Sequence, residues 1–195
     1  GFNEVDSSTV IRSGLVSTNA LTTSHDIKIN DVEIGASDSA SAAAKAIAIN
    51  AVSSSTNVTA LGSNVITISL NFSEAASAAS NIKINGTAIN FGSVTNEADT
   101  ITAINNASIG DIIASTNSSG EFLLTSASGA DIVITHDGTA GDFFDGHTDA
   151  TGKTISVGSS VTFKGQILLT HSEGDVIKIS GDDVGELGFQ AQASS

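Results

Sequence analysis

The chain lacks cysteine, proline, methionine, tryptophan and tyrosine, and it carries only seven basic residues in 195. Each absence excludes something. Without cysteine there is no disulfide framework and no thiolate metal site. Without proline, folding meets no slow X-Pro isomerisation. Without methionine the sequence has no initiator, so a fragment or processed product is expected. Seven Lys and Arg against 21 Asp and Glu leave a formal charge of −14 and a pI near 4.2. That balance opposes nucleic-acid binding, which needs a basic surface to displace phosphate counterions. It opposes docking on an anionic membrane for the same reason. No run approaches the ~18 uninterrupted apolar residues of a membrane span. The opening Gly1-Phe2-Asn3-Glu4-Val5-Asp6 has neither the basic nor the apolar region of a signal peptide.

What is present is Ser and Thr, 50 of 195 residues, with an apolar share of 39% that is rich in Ala. Aromatics are eight Phe, and charged residues only 14%. A disordered chain would be more charged and less β-branched. Ile, Val and Leu recur here in short alternating runs, so the sequence predicts a folded, β-rich protein with a thin core.

Internal repeats organise the chain. Ile27-Lys28-Ile29-Asn30 returns as Ile82-Lys83-Ile84-Asn85, an offset of 55, and residues 27–53 match 82–108 at 10 of 27 positions. Each copy predicts a short strand, then turn chemistry at Asn30-Asp31 or Asn85-Gly86, then a second strand at Val32–Ile34 or Thr87–Ile89. A helix follows. In copy one, Ser37-Asp38-Ser39 is expected to cap it, with Ala40, Ala43, Ala44, Ile47 and Ala51 on the inner face. In copy two, Thr95 and Asn96 cap, Glu97 and Asp99 suit the positive end of the dipole, and Ala98, Ile101 and Ile104 face inward. Strands then return at Asn57–Leu61 and Val65–Leu70 in copy one, and at Asp111–Ser115, Phe122–Thr125 and Ile132–Thr135 in copy two. A second offset, 45, maps residues 120–134 onto 165–179 at 7 of 15 positions. The loop Asp137-Gly138-Thr139-Ala140-Gly141 interrupts the pattern. The expected fold is therefore α+β and β-dominated, with tandem ββαββ-like units. Residues 1–19 are a lead-in strand or linker. Residues 20–138 hold two units, about 25–80 and 81–138. Residues 139–195 form a degenerate, mostly β third unit that kept its hairpin and lost its helix.

At these residues the sequence resembles the flagellin hook IN motif, found in the variable middle of bacterial flagellins and in hook-associated and hook-cap proteins. The resembling marks are Asp26-Ile27-Lys28-Ile29-Asn30-Asp31-Val32-Glu33-Ile34, the Ala-rich stretch ending Ile49-Asn50-Ala51-Val52, and Val58-Thr59-Ala60. The second copy shows Ile82-Lys83-Ile84-Asn85-Gly86 and Ile104-Asn105-Asn106. Gly165-Gln166-Ile167-Leu168-Leu169-Thr170 through Gly185-Glu186-Leu187-Gly188-Phe189 looks like the close of such a unit. The resemblance covers about 25–138 well and 152–189 loosely. Copy one departs from it with Asp31 where the family usually has Gly, and the long terminal helices that polymerise flagellin are absent. The resemblance implies the outer, surface-exposed domain of a flagellin subunit, secreted and extracellular, serving motility in the flagellar filament. Its partners would be neighbouring flagellin subunits, with glycans as a further association. As an insertion between helical arms its ends should lie close, with Val10–Leu15 near the C-terminal strands. The alternatives are a domain of a hook-associated or hook-cap protein and an extracellular adhesin module.

No motif points to catalysis, a cofactor or a resident metal. His25, His136, His147 and His171 show neither H-E-x-x-H nor H-x₃₋₅-H spacing. There is no G-x-S-x-G elbow and no phosphate loop. No catalytic, cofactor-binding or metal residues are therefore assigned. The sharpest acidic cluster is Asp137, Asp142, Asp145 and Asp149 in a Gly-rich loop, without the EF-hand order. Phe143-Phe144 within it could plug the core of the third unit. N-x-[ST] occurs at Asn57, Asn71, Asn85, Asn106 and Asn117, close to the number chance gives. Ser53-Ser54-Ser55-Thr56 and Ser118-Ser119 are the stretches open to O-linked sugars.

Overall fold

The computed structural model describes residues 9–78, 81–138, 142–144 and 154–190. The described strands are β1 (Val10–Arg12), β2 (Lys28–Ile29), β3 (Val32–Glu33), β4 (Val58–Ile68), β5 (Ile82–Ile84), β6 (Thr87–Ile89), β7 (Ile112–Thr116), β8 (Phe122–Ser126), β9 (Ile132–His136), β10 (Ser160–Phe163), β11 (Gln166–His171) and β12 (Ile179–Ser180). The helices are α1 (Ala42–Asn50), α2 (Ser53–Thr56), α3 (Ala75–Ala78) and α4 (Glu97–Asn106). The fold is α+β and β-dominated, with its strands in three antiparallel sheets.

Two compact units divide the chain, each with its own core. Unit 1 comprises residues 1–64, 128–130 and 164–195, and unit 2 comprises 65–127 and 131–163. This differs from the expected division at 138–139. The C-terminal segment is not a third unit, because it completes the sheets of unit 1. In unit 1, β11 pairs with β4 and β12 pairs with β2. In unit 2, β8 pairs with β7 and β9 pairs with β5. The offset of 45 relates these two sets of strands.

Both ββ hairpins have the turn the sequence calls for. Asn30 and Asp31 lie at φ 49 and 64, and Asn85 and Gly86 at φ 47 and 80. Positive φ at both central residues is the geometry that matches the twist of the flanking strands. Asp31 accommodates this conformation in place of Gly.

Four asparagine side chains then do the work of missing strands. In unit 1 Asn30 N–H donates to Lys178 C=O (2.8 Å), Lys178 N–H donates to Asn30 Oδ1 (2.8 Å), and Asn30 Nδ2 donates to Thr56 C=O (2.8 Å). In unit 2 Asn85 N–H donates to Val133 C=O (2.8 Å), Val133 N–H donates to Asn85 Oδ1 (2.7 Å), and Asn85 Nδ2 donates to Asp131 C=O (3.1 Å). At the ends of α1 and α4 the arrangement recurs. Ala60 N–H donates to Asn50 Oδ1 (2.7 Å) while Asn50 Nδ2 donates to Ala60 C=O (2.9 Å). Ala114 N–H donates to Asn105 Oδ1 (2.8 Å) while Asn105 Nδ2 donates to Ala114 C=O (3.0 Å). Each clasp satisfies a backbone donor and acceptor that would otherwise lack partners.

Several local expectations are corrected. The two strands expected at Asn57–Leu61 and Val65–Leu70 are one strand, β4, whose burial alternates from Val58 to Ile68. Gly62-Ser63-Asn64 reads as a turn but stays extended, because Gly62 pairs with Ile167 and a Cβ there would overlap Ser128 C=O. Helix α1 is capped by Ser41, whose side chain accepts from Ala44 N–H (3.1 Å), rather than by Ser37–Ser39. Its buried face is Ala42, Lys45, Ala46, Ala48 and Ile49, whereas Ile47 is 67% exposed. The small residues gave no phase, and Lys45 fixes it. In α4, Asn96 caps as expected and Ile104 is buried, but Ala98 is exposed and Thr100 takes the inner place with Oγ1 bonded to Asn96 C=O (3.0 Å).

Phe143 and Phe144 are fully buried in the core of unit 2, with ring centroids 4.9 and 5.7 Å from Phe91. They do not close a separate third core. Each such ring contributes ~1.5–3 kcal/mol by burial, so unit 2 draws on several aromatics while unit 1 sets Phe189 among Ile, Leu, Val and Ala.

Replacing Asn105 by Ala should lower the unfolding free energy by about 1–3 kcal/mol, because both backbone groups of Ala114 lose their partner. The exposed neighbour Asn106 is the control: Asn106→Ala should change stability by less than about 0.5 kcal/mol. Denaturant melts of the two variants check the difference.

Candidate functional site

The most concentrated polar site in unit 1 is built around Lys45, the largest fully buried side chain of the chain's described residues. It projects inward from the middle of α1 because Ala42, Ala46 and Ile49 set the buried face on either side of it. Its Nζ donates to Ser17 C=O (3.2 Å), Ser17 Oγ (3.0 Å) and Glu186 C=O (2.7 Å). The Ser17 hydroxyl in turn donates to Glu186 Oε2, and Asn19 Nδ2 donates to Glu186 Oε1 (3.3 Å). An ammonium removed from water needs such partners, since a buried cation without them would lose several kcal/mol of solvation. Three oxygens surround the Lys45 amine nitrogen, and the Ser17 hydroxyl links it to the Glu186 carboxylate. Ser17, Lys45 and Glu186 together form a polar strut.

The strut fastens two distant stretches of sequence to one another. Residues 13–19 run beside 184–189. Gly14 N–H donates to Gly188 C=O (2.9 Å), and Ser17 N–H to Glu186 C=O (3.3 Å). Ser13 Oγ accepts from Ile167 N–H (2.8 Å), and β1 pairs with β11 from Val10↔Thr170 to Arg12↔Leu168. The 3₁₀ turn Val184–Leu187 ends at Gly188, whose φ of +85 and close approach to the carbonyls of Gly14 and Leu15 leave no room for a side chain. Sequence reasoning expected Val10–Leu15 near the C-terminal strands, and the structure places them there. It assigned no role to Lys45, Ser17 or Glu186. The one signal available was the 42/45/46/49 spacing, which puts a lysine among apolar positions.

The other residues singled out in the sequence are dispersed. His25 Nδ1 accepts from Thr22 N–H (3.2 Å) in an exposed turn. His136 is buried at the end of β9. His171 is buried at the end of β11, and its Nδ1 accepts from Glu173 N–H and Asp175 N–H, each at 3.2 Å. His147, Asp145 and Asp149 lie outside the described residues, and Asp137 is ion-paired with Lys83. No three His, Asp or Glu side chains gather as metal ligands among the described residues. Thr56 is buried and bonded to Val58 N–H (3.1 Å), which removes it from the stretch open to sugars; Ser54, Ser55, Ser118 and Ser119 are exposed. The side chains of Asn85 and Asn117 are committed to backbone bonds.

Elsewhere in unit 2 an open cleft of about 320 Å³ is lined by Phe72, Glu97 and Glu121. Both carboxylates serve local structure: Glu97 Oε1 accepts from Thr116 Oγ1 (2.5 Å) and Glu121 Oε2 from Asn117 Nδ2 (2.7 Å). At the surface of unit 1, the hydrogen bond from Lys28 Nζ (3.0 Å) holds the Asp26 carboxyl below its usual range. That contribution is present above the unfolded carboxyl pKa and lost as pH falls through the folded one. It is small, because the pair is exposed.

The chain matches no protein-family model and no curated protein.

Lys45→Met keeps the shape and removes the charge, leaving three acceptors and a carboxylate without their cation. Unfolding free energy should fall by about 3–5 kcal/mol. Lys28→Met, at an exposed pair, should leave it nearly unchanged. Chemical denaturation of both variants measures the contrast.

Proposed function

We propose that this chain is a structural module, the surface-exposed outer domain of a flagellin subunit in a secreted, extracellular bacterial filament, and that it turns over no substrate. The observation that supports this most directly is the fastening of residues 13–19 against 184–189 by Lys45, Ser17 and Glu186. A module entered and left at one place can be carried by a host chain without disturbing the host's own packing. The resemblance to the flagellin hook IN motif supplies the host.

The matched clasps of Asn30 with Asn85 and of Asn50 with Asn105 support a common origin for the two units. In this reading one ββαβββ unit was duplicated and the second copy came to lie inside the first. Residues 82–136 are then the uninterrupted copy, and 164–180 are the second half of the interrupted one. The tandem ββαββ organisation becomes a nested one.

The work of such a domain is done by shape, charge and contacts with neighbouring subunits. A charge of −14 keeps a crowded array soluble and holds neighbours apart wherever carboxylates face one another. Exposed hydroxyls at Ser54, Ser55, Ser118 and Ser119 are where sugars would be carried.

The sequences that flank residues 1 and 195 in the parent gene test the reading. Long amphipathic, helix-forming arms are expected on both sides. An arm on one side only, or none, would overturn it. A circular permutant joined across the ends and opened at Ser118-Ser119 should melt cooperatively like the parent, since residues 13–19 already run beside 184–189.

A further inference from the structure

Asn85 is the only asparagine of the chain that is followed by glycine. The main-chain nitrogen of the next residue can attack an asparagine's side-chain carbon, and glycine has no Cβ to hinder it. The other three clasp asparagines are followed by Asp31, Ala51 and Asn106. Ala51 N–H is taken by Ile47 C=O (3.0 Å), and Asn106 lies within α4. Asn30 and Asp31 repeat the turn of Asn85 and Gly86, but with a side chain on the second residue. The two copies therefore share a clasp and differ in how easily it is destroyed from within. Asn85 is exposed, so water reaches it.

We propose that Asn85 is a site of spontaneous deamidation, held back in the folded chain by its own clasp and released when unit 2 opens. In the reaction the Gly86 nitrogen gives up its proton and bonds to Asn85 Cγ. The Cγ–Nδ2 bond breaks, Nδ2 leaves as ammonia, and a five-membered succinimide ring remains. Water then opens the ring at Cγ, which leaves aspartate, or at the main-chain carbonyl carbon, which leaves isoaspartate. One water enters and one ammonia departs.

The fold restrains the first step. Asn85 Oδ1 accepts from Val133 N–H (2.7 Å), Nδ2 donates to Asp131 C=O (3.1 Å), and Asn85 N–H donates to Val133 C=O (2.8 Å). The amide carbon is thus held from both of its polar atoms. Strand β5 leads into the turn, is paired on both edges with β9 and β6, and has Ile82 and Ile84 fully buried. Freeing the amide means parting β5 from β9, which is an opening of unit 2. The products do not remake the clasp. Aspartate has no donor for Asp131 C=O and sets an anionic oxygen against it. Isoaspartate adds a main-chain carbon to a turn whose length sets the strand register. Opening of unit 2 is thereby made permanent, whereas in unit 1 the Asp31 side chain hinders the same reaction.

Peptide mapping by mass spectrometry tests this on the full chain, incubated at mildly alkaline pH both folded and in guanidinium chloride. Loss of the Asn85 amide should be at least about tenfold slower in the folded chain than in the unfolded one. Asn105→Ala, which weakens unit 2 at its other clasp, should speed the reaction of the folded chain about fivefold or more. Gly86→Asp copies the unit 1 turn into unit 2, where a Cβ meets open space and Asp31 shows that aspartate takes the conformation. In guanidinium chloride this variant should keep its Asn85 amide while the parent loses it. Equal rates in the folded and unfolded parent, a folded-state rate unmoved by Asn105→Ala, or a Gly86→Asp variant that converts as fast as the parent would overturn the proposal.

Discussion

A side-chain amide presents an acceptor and two donors in the same planar arrangement as a peptide group. This protein uses that equivalence where its chain runs out of strands. Asn30 and Asn85 leave their hairpins in the left-handed region, and each bonds through both its main chain and its side-chain amide to backbone distant in sequence. Asn50 and Asn105 stand at the ends of helices and hold the strand that follows by both of its polar groups. Short strands of two or three residues cannot hold one another by ladder bonds alone, so helix, hairpin and distant strand are tied through these four residues.

Much of this was legible in the sequence. The Ile-Lys-Ile-Asn repeats carry their turns, the Ile-Asn pairs mark the helix ends, and both numerical offsets reappear as equivalent strand pairings. What escaped was long-range order. Residues 165–179 resemble 120–134 so well that a linear reading makes them a further unit, and nothing local reveals that they return to residues 28–29 and 58–63. Gly62-Ser63-Asn64 has turn composition, and only its pairing partner keeps it extended. The phase of α1 was hidden by five alanines in nine residues. With such a helix, burial is decided by what the neighbouring segments offer, and here Ser17 and Glu186 offer oxygen to a lysine.

The lysine centre buries one of the seven basic groups of an acidic chain. Inside unit 1 a cation is kept from water and its charge is answered by carbonyls, a hydroxyl and a carboxylate, which fastens the entry of the module to its exit.

The central claim is that asparagine amides replace strand partners, and amide hydrogen exchange followed by nuclear magnetic resonance measures it residue by residue. Ala60, Ala114, Val133 and Lys178 donate to the four side chains, and their amides should exchange as slowly as Ile113 or Leu169 within the ladders. If instead Ala114 and its three counterparts exchange at the rate of exposed loop amides such as Ser118, the clasps do not hold in solution and the account fails.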